Sequence, residues 1–348
     1  MWHLCLAVLS QKNHCQASQN LQKIYLETEK KRINTTNNMG TGSPDSFEFS
    51  GVDKIQLHCA YWLPAGDIKA VIQIAHGMAE HGARYARLAG CLNAEGFAVY
   101  ANDHRGHGKS IIQGQTPGHM ADEDSWNKAV DDLDLLNAEI RRRHPDTPII
   151  LLGHSMGSFL TQSYLSKYGE NIAAAALSAS NGQPGFLGKI AQFIIRLETL
   201  RLGKEGHSAL MAAMTFKAFN KLFKPNRTEF DWLSRDNAEV DKYITDPLCG
   251  FECSVATWQG MLDALTIIAS DEALNKMDKT KPIYVISGTD DPVGEKSKGV
   301  KRLLAAYKKH GFTNIIDKFY PDARHELFNE TNRDEVTVDF IKWIKSIL

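Results

Sequence analysis

From residue 47 onward, short apolar runs alternate with longer stretches in which apolar residues recur every three or four positions. Phe47-Glu48-Phe49 is the first strand-like segment. The runs at 55–62 (IQLHCAYW), 70–75 (AVIQIA), 97–101 (FAVYA), 149–153, 173–179 (AAAALSA), 283–288 (IYVISG) and 315–320 (IIDKFY) are short and rich in β-formers, as buried strands are. The periodicity predicts helices near 81–95, 125–143, 155–168, 295–310 and 331–347. Strands alternating with helices imply an α/β fold, with a mostly parallel sheet covered on both faces. In such sheets chemistry gathers at the carboxyl ends of the strands.

Between 182 and 278 the alternation stops. No clear strand is legible there, only helical patterning. Over 186–202, Leu187, Ile190, Phe193, Ile194 and Leu197 fall on one stripe, with Lys189, Arg196 and Arg201 off it. An insertion at this point emerges above the strand ends. The chain therefore divides into a core of 45–181 and 279–348, a helical cap or lid at 182–278, and an N-terminal extension at 1–44 that is expected to be disordered.

Trp2 to Leu9 is apolar but lacks a basic n-region, so secretion is not expected, and Met39 fits an alternative start. No apolar run approaches the roughly 18 residues that span a bilayer. The expected location is cytoplasmic, with peripheral contact at a membrane through the cap.

The strand ending at Gly153 runs into His154-Ser155-Met156-Gly157, and helical spacing follows at Phe159, Leu160 and Tyr164. Gly-x-Ser-x-Gly on a strand-to-helix turn is a nucleophile elbow. It holds the Ser155 hydroxyl above the sheet edge at the positive end of a helix. A serine hydroxyl needs a base, and the base needs a third group to fix its tautomer. In this architecture the chain order is Ser, acid, His. His325, in Ala323-Arg324-His325-Glu326 after the last strand, is the candidate base. The loop Thr289-Asp290-Asp291 offers two acids. Asp291 is preferred, with Asp290 as a turn cap. Attack on an ester leaves charge on the former carbonyl oxygen, and the N–H groups of Met78 and Met156 occupy the two positions that would receive it.

His76, His81, His104 and His107 invite a metal reading, to which Asp103 could add a carboxylate. They flank glycine-rich turns, where histidines hydrogen-bond loop backbone, so no metal and no cofactor is expected. The cysteines at 5, 15, 59, 91, 249 and 253 form no C-x-x-C pair and read as reduced thiols. A net charge of −1 leaves no basic surplus for a nucleic-acid partner.

HGMAEH, Tyr85, NDHRGHGKS, GHSMG, SGTDD and ARHE resemble the monoacylglycerol lipase and lysophospholipase group of α/β-hydrolases. The cap segment with Ser234-Arg235-Asp236, Glu239-Val240-Asp241, Tyr243 and Asp246-Pro247-Leu248 resembles it too, over roughly 45–345 in all. The resemblance implies a serine hydrolase of single-chain acyl esters, with an acyl-enzyme on Ser155, His325 and Asp291. It places Glu80 and Arg84 near the alcohol end of the pocket, where a purely structural ion pair is the competing account. The cap stripe would line an acyl channel or meet a membrane surface; plain packing onto the core is the simpler account of most of its residues. Two other readings compete: a peptidase or thioesterase of prolyl aminopeptidase type, and a non-catalytic binding protein that keeps the fold.

Overall fold

The structure, a computed structural model, describes residues 44–348. Most of the N-terminal extension, with Met39, Cys5 and Cys15, lies outside the described residues. The strands are β1 (Asp45–Ser50), β2 (Gln56–Trp62), β3 (Ala70–Ala75), β4 (Phe97–Asn102), β5 (Ile149–His154), β6 (Ala174–Ser178), β7 (Ile283–Gly288) and β8 (Ile315–Tyr320). They form one sheet in the order β1-β2-β4-β3-β5-β6-β7-β8. β2 pairs antiparallel with β1 and β4, and every pairing from β4 to β8 is parallel. The order doubles back between β3 and β4, which brings β3 beside β5. The loops after those two strands therefore open side by side.

The helices in chain order are α1 (Ala86–Asn93), α2 (Ser125–Arg143), α3 (Met156–Tyr168), α4 (Phe186–Leu202), α5 (Ala209–Met214), α6 (Phe216–Lys221), α7 (Asn237–Thr245), α8 (Val255–Ile267), α9 (Asp271–Lys276), α10 (Lys298–Lys309) and α11 (Arg333–Ile347). Side chains alternate across a strand, so a strand buried on both faces is apolar throughout. In β5, Ile149 and Leu151 join a cluster with Leu133 of α2, Leu160 of α3 and Leu303 of α10. Ile150 and Leu152 join a second cluster with Leu88 of α1 and Phe340 of α11. Each such fully buried side chain contributes about 1.5–3 kcal/mol relative to exposure.

The described residues between β6 and β7 contain the helices α4 to α9 and no strand. Their second half is anchored to the core. Val255, Trp258 and Met261 of α8 and Leu274 of α9 share the buried cluster of α2 and α3. The stripe on α4 divides. Ile194 packs inward beside Ile195, whereas Phe193 is 64% and Leu197 50% exposed and Ile190 lies at the boundary. The Leu187 side chain lies outside the described ones. Apolar residues occupy most of the circumference of α4, so the period alone could not say which arc would face the core.

Candidate active site

β5 ends at His154 and α3 begins at Met156, leaving Ser155 alone on the turn with φ 52° and ψ −120°. A non-glycine residue there stores of order 1–3 kcal/mol of strain. The close crossing that imposes it needs both glycines. A Cβ on Gly153 would lie 2.3 Å from the Gly157 carbonyl oxygen, and one on Gly157 2.0 Å from that of Ala75. The turn is pinned from beyond as well, because the Ser155 N–H donates to the Ser178 carbonyl at 2.9 Å.

The loops after β7 and β8 bring Asp291 and His325 together. His325 Nδ1 lies 2.9 Å from Asp291 Oδ1, and both residues are buried. Asp291 Oδ1 also accepts from the Val293 N–H at 2.9 Å, which fixes the carboxylate. Asp290 points elsewhere. Its side chain is partly exposed, 3.5 Å from Lys296 Nζ, and its N–H donates to the Ala323 carbonyl. Burial works to lower the basicity of His325, but the charge and hydrogen bond of Asp291 override it and hold the imidazole above its ordinary pKa.

Ser155 and His325 line one cavity of about 30 Å³ together with Met78 and Glu80. Its other wall comes from the insertion: Phe216, Phe230, Trp232, Tyr243 and Phe251. The Trp232 ring sits 5.0 Å from that of His325, and the His154 ring 4.9 Å from it. Burial, and then the neighbouring His325, bring His154 down to about 4, so this second imidazole is neutral where the first is titrating. The helical pattern of the insertion gave no sign of its aromatic wall; only Tyr243 stood in a motif. His154 stood inside the elbow motif without a role assigned.

Met156 opens α3, so its N–H is one of the four that have no acceptor inside the helix. Met78 lies on the loop after β3. That loop is held firmly: the Gly77 N–H donates to Glu80 Oε1 at 2.6 Å, and the Ala79 carbonyl accepts from both Tyr243 Oη and the Gly250 N–H at 3.0 Å.

Glu80 and Arg84 are joined at 2.6 Å, and Arg84 also grips Glu326 through two hydrogen bonds of 2.7 Å. Glu80 reaches the cavity wall, whereas Arg84 lies on the outer side of the network and faces a separate surface groove. Burial would raise the Glu326 carboxyl; the guanidinium overrides it and brings it to about 2. The geometry thus gives this pair a strong structural role in tying the β3 loop to the residue after His325. In the sequence Glu326 stands only as the last residue of the Ala323-Arg324-His325-Glu326 motif.

The buried histidines at 76, 104 and 107 spend ring nitrogens on backbone. His76 Nε2 accepts from the His104 N–H at 2.9 Å, His104 Nε2 faces the His76 carbonyl at 3.1 Å, and His107 Nδ1 faces the Arg105 carbonyl at 3.1 Å. His81 differs, with Nε2 2.9 Å from Asp246 Oδ2. Among the described residues, Cys59, Cys249 and Cys253 are free thiols.

The fold and the strained serine turn define an α/β-hydrolase. The chain belongs to the serine aminopeptidase S33 family, whose sequence profile matches residues 66–332. It is a carboxylic ester hydrolase. It is 29% identical over 318 residues to a monoacylglycerol lipase of Mycolicibacterium smegmatis, covering 89% of this chain and all of that one. It is 30% identical over 289 residues to the monoglyceride lipase of Rattus norvegicus, covering 79% and 85%. A thermostable carboxyl esterase from Bacillus coagulans, solved in complex with glycerol, superposes with a TM-score of 0.81 at 25% identity, covering 88% of this chain and 99% of that one. No helix among the described residues is long and apolar enough to cross a membrane.

Proposed function

We propose that the protein cleaves esters of single-chain lipids, monoacylglycerol or lysophospholipid, through an acyl-enzyme on Ser155. The observation that carries this reading is the His325–Asp291 hydrogen bond at the strand ends, sharing one cavity with the strained Ser155. In the first step His325 Nε2 takes the hydroxyl proton as Ser155 Oγ attacks the ester carbon. The Met78 and Met156 N–H groups receive the charge on the carbonyl oxygen; loss of one such donor typically costs about 10²–10³ in rate. Collapse expels the alcohol, which takes the proton from His325. Water, deprotonated by the same imidazole, then releases the fatty acid.

The names of the similar lipases and the aromatic wall support a lipid substrate. A cavity of about 30 Å³ holds only a couple of water molecules. Part of the wall from the insertion therefore moves before an acyl ester binds, and residues 182–278 act as a cap. The exposed apolar arc of α4 gives that cap a peripheral contact with a lipid surface. Aminopeptidase activity needs a carboxylate to hold the substrate ammonium. Both carboxylates at the cavity, Glu80 and Glu326, are committed to Arg84, which argues against it.

A series of glycerol and fluorogenic esters of rising chain length, run beside a prolyl amide on the purified protein, tests this. Turnover is expected to rise with chain length, with none on the amide. Activity confined to acetate, or release of proline, overturns the lipid reading. A fluorophosphonate probe should label Ser155 alone.

A further inference from the structure

Beside the catalytic cavity, outside it, three side chains of metal-ligand type converge. His81 Nε2, Asp246 Oδ2 and Cys249 Sγ all lie within 4.8 Å of one another, with His81 and Asp246 already 2.9 Å apart. They come from two bodies of the fold. His81 ends the loop after β3, and Asp246 and Cys249 follow α7 in the insertion. We propose that His81, Asp246 and Cys249 form a site for a zinc-class divalent cation, which pins the 243–250 segment to the β3 loop and holds the enzyme closed.

The donor set suits such an ion. Imidazole, carboxylate and thiolate are the three ligand types that zinc takes, at about 2.0–2.3 Å. Tetrahedral bonds of that length put ligand atoms roughly 3.3–3.8 Å apart, so shifts of about an ångström assemble the set. Local charge favours a cation as well. The guanidinium of Arg84 lies close by, but Glu80 and Glu326 are both bonded to it, and Asp246 adds a third carboxylate. A surface groove of about 760 Å³, lined by His81 and Asp246, gives an entry path and leaves a fourth position for water. The Cys249 thiol gives up its proton to solvent as it binds.

The consequence follows from what this seam already holds. Tyr243 Oη and the Gly250 N–H both donate to the Ala79 carbonyl, and Tyr243, Gly250 and Phe251 wall the cavity. A cation bridging His81 to the 246–249 turn adds stiff bonds across the same seam. Inhibition rests on the esterase reading, in which this wall must move; binding does not.

The test uses the full chain. Cobalt(II) should give a thiolate-to-metal charge-transfer band, absent in Cys249→Ser. Zinc should abolish hydrolysis of a soluble short-chain ester, and a chelator should restore it. Cys249→Ser and Asp246→Asn should keep hydrolysis yet need about 100-fold more zinc, the upper end of what losing even the hydrogen bond behind a ligand costs. The absence of a cobalt band in the natural protein overturns the site, as does inhibition of the variants at the same zinc concentration that inhibits the natural protein. A band with undiminished hydrolysis overturns the clamp. If the protein hydrolyses no ester at all, the functional reading falls and the cobalt band still decides the site.

Discussion

The imidazole of His325 meets the carboxylate of Asp291 at 2.9 Å in a fully buried contact, whereas Asp290, one residue earlier, turns out toward Lys296. Two adjacent aspartates thus have opposite environments. Asp291→Asn removes the charge and favours the wrong histidine tautomer, so kcat should fall by about 10⁴. Asp290→Asn removes an exposed ion pair, which costs below about 1 kcal/mol of stability and leaves kcat unchanged. Steady-state rates on one soluble ester separate the two, and damage at 290 with tolerance at 291 would reverse the assignment.

The same contact sets the pH dependence. In the proposed mechanism His325 works as a base only when Nε2 is unprotonated, and Asp291 holds its pKa above the ordinary 6.5. The acid limb of kcat/KM should therefore lie above 6.5, with activity falling as pH drops through it. Stability follows other histidines. Burial keeps His76, His104 and His154 neutral, with His104 lowered to about 3 and His154 to about 4. Between pH 6.5 and 4 the unfolded chain binds protons there that the folded chain refuses, so stability falls as pH drops. His325 acts in the opposite sense. Its contribution is full below the ordinary histidine pKa and fades as pH rises through the raised one. Burial lowers His107 as well, so the lowered histidines outweigh the one raised, and the urea midpoint should move steadily down from pH 7 to pH 5.

The strands and the elbow were legible because each is a local statement. Ile149 to Leu152 are apolar on both faces, and Gly153 and Gly157 announce a crossing too close for any Cβ. The loop ends at Met78, Ser155, Asp291 and His325 were legible because a parallel sheet collects them at one edge. The aromatic wall was not. Trp232 and Phe216 meet His325 or each other only through the path of the insertion, and helical spacing carries no information about that path. Nor could spacing show that Arg84 reaches Glu326 across 242 positions of the chain.

Ser155 illustrates a cost that its proposed role imposes. At φ 52° and ψ −120° an alanine is as strained as the serine, so Ser155→Ala should abolish turnover with little change in stability. Glycine tolerates the conformation. Relief of about 1–3 kcal/mol, less about 0.5–1 kcal/mol for the extra freedom of unfolded glycine, leaves Ser155→Gly inactive but more stable by about 1 kcal/mol. Gly157→Ala should do the reverse, since its methyl would lie 2.0 Å from the Ala75 oxygen; overpacking of that kind costs about 3 kcal/mol or more. Urea titration of the three variants checks the order, and a Ser155→Gly no more stable than Ser155→Ala would show that the turn carries no strain.

In the proposed function, the exposed arc of α4 is where a lipid substrate and this fold would first meet. Phe193, Leu197 and Leu200 are 64%, 50% and 84% exposed, and Lys189, Arg196 and Arg201 lie along the same helix. An apolar arc flanked by basic residues is suited to lying in the headgroup boundary. Replacing Phe193 and Leu200 together with serine removes apolar area that is mostly exposed among the described residues, so stability should hold. Partition into phospholipid vesicles should weaken by about tenfold or more, as each buried methylene contributes about 0.8 kcal/mol. Hydrolysis of monoacylglycerol presented in those vesicles should fall with it, while hydrolysis of a short soluble ester stays the same. Unchanged vesicle binding in the double variant would assign the arc no part in reaching the lipid.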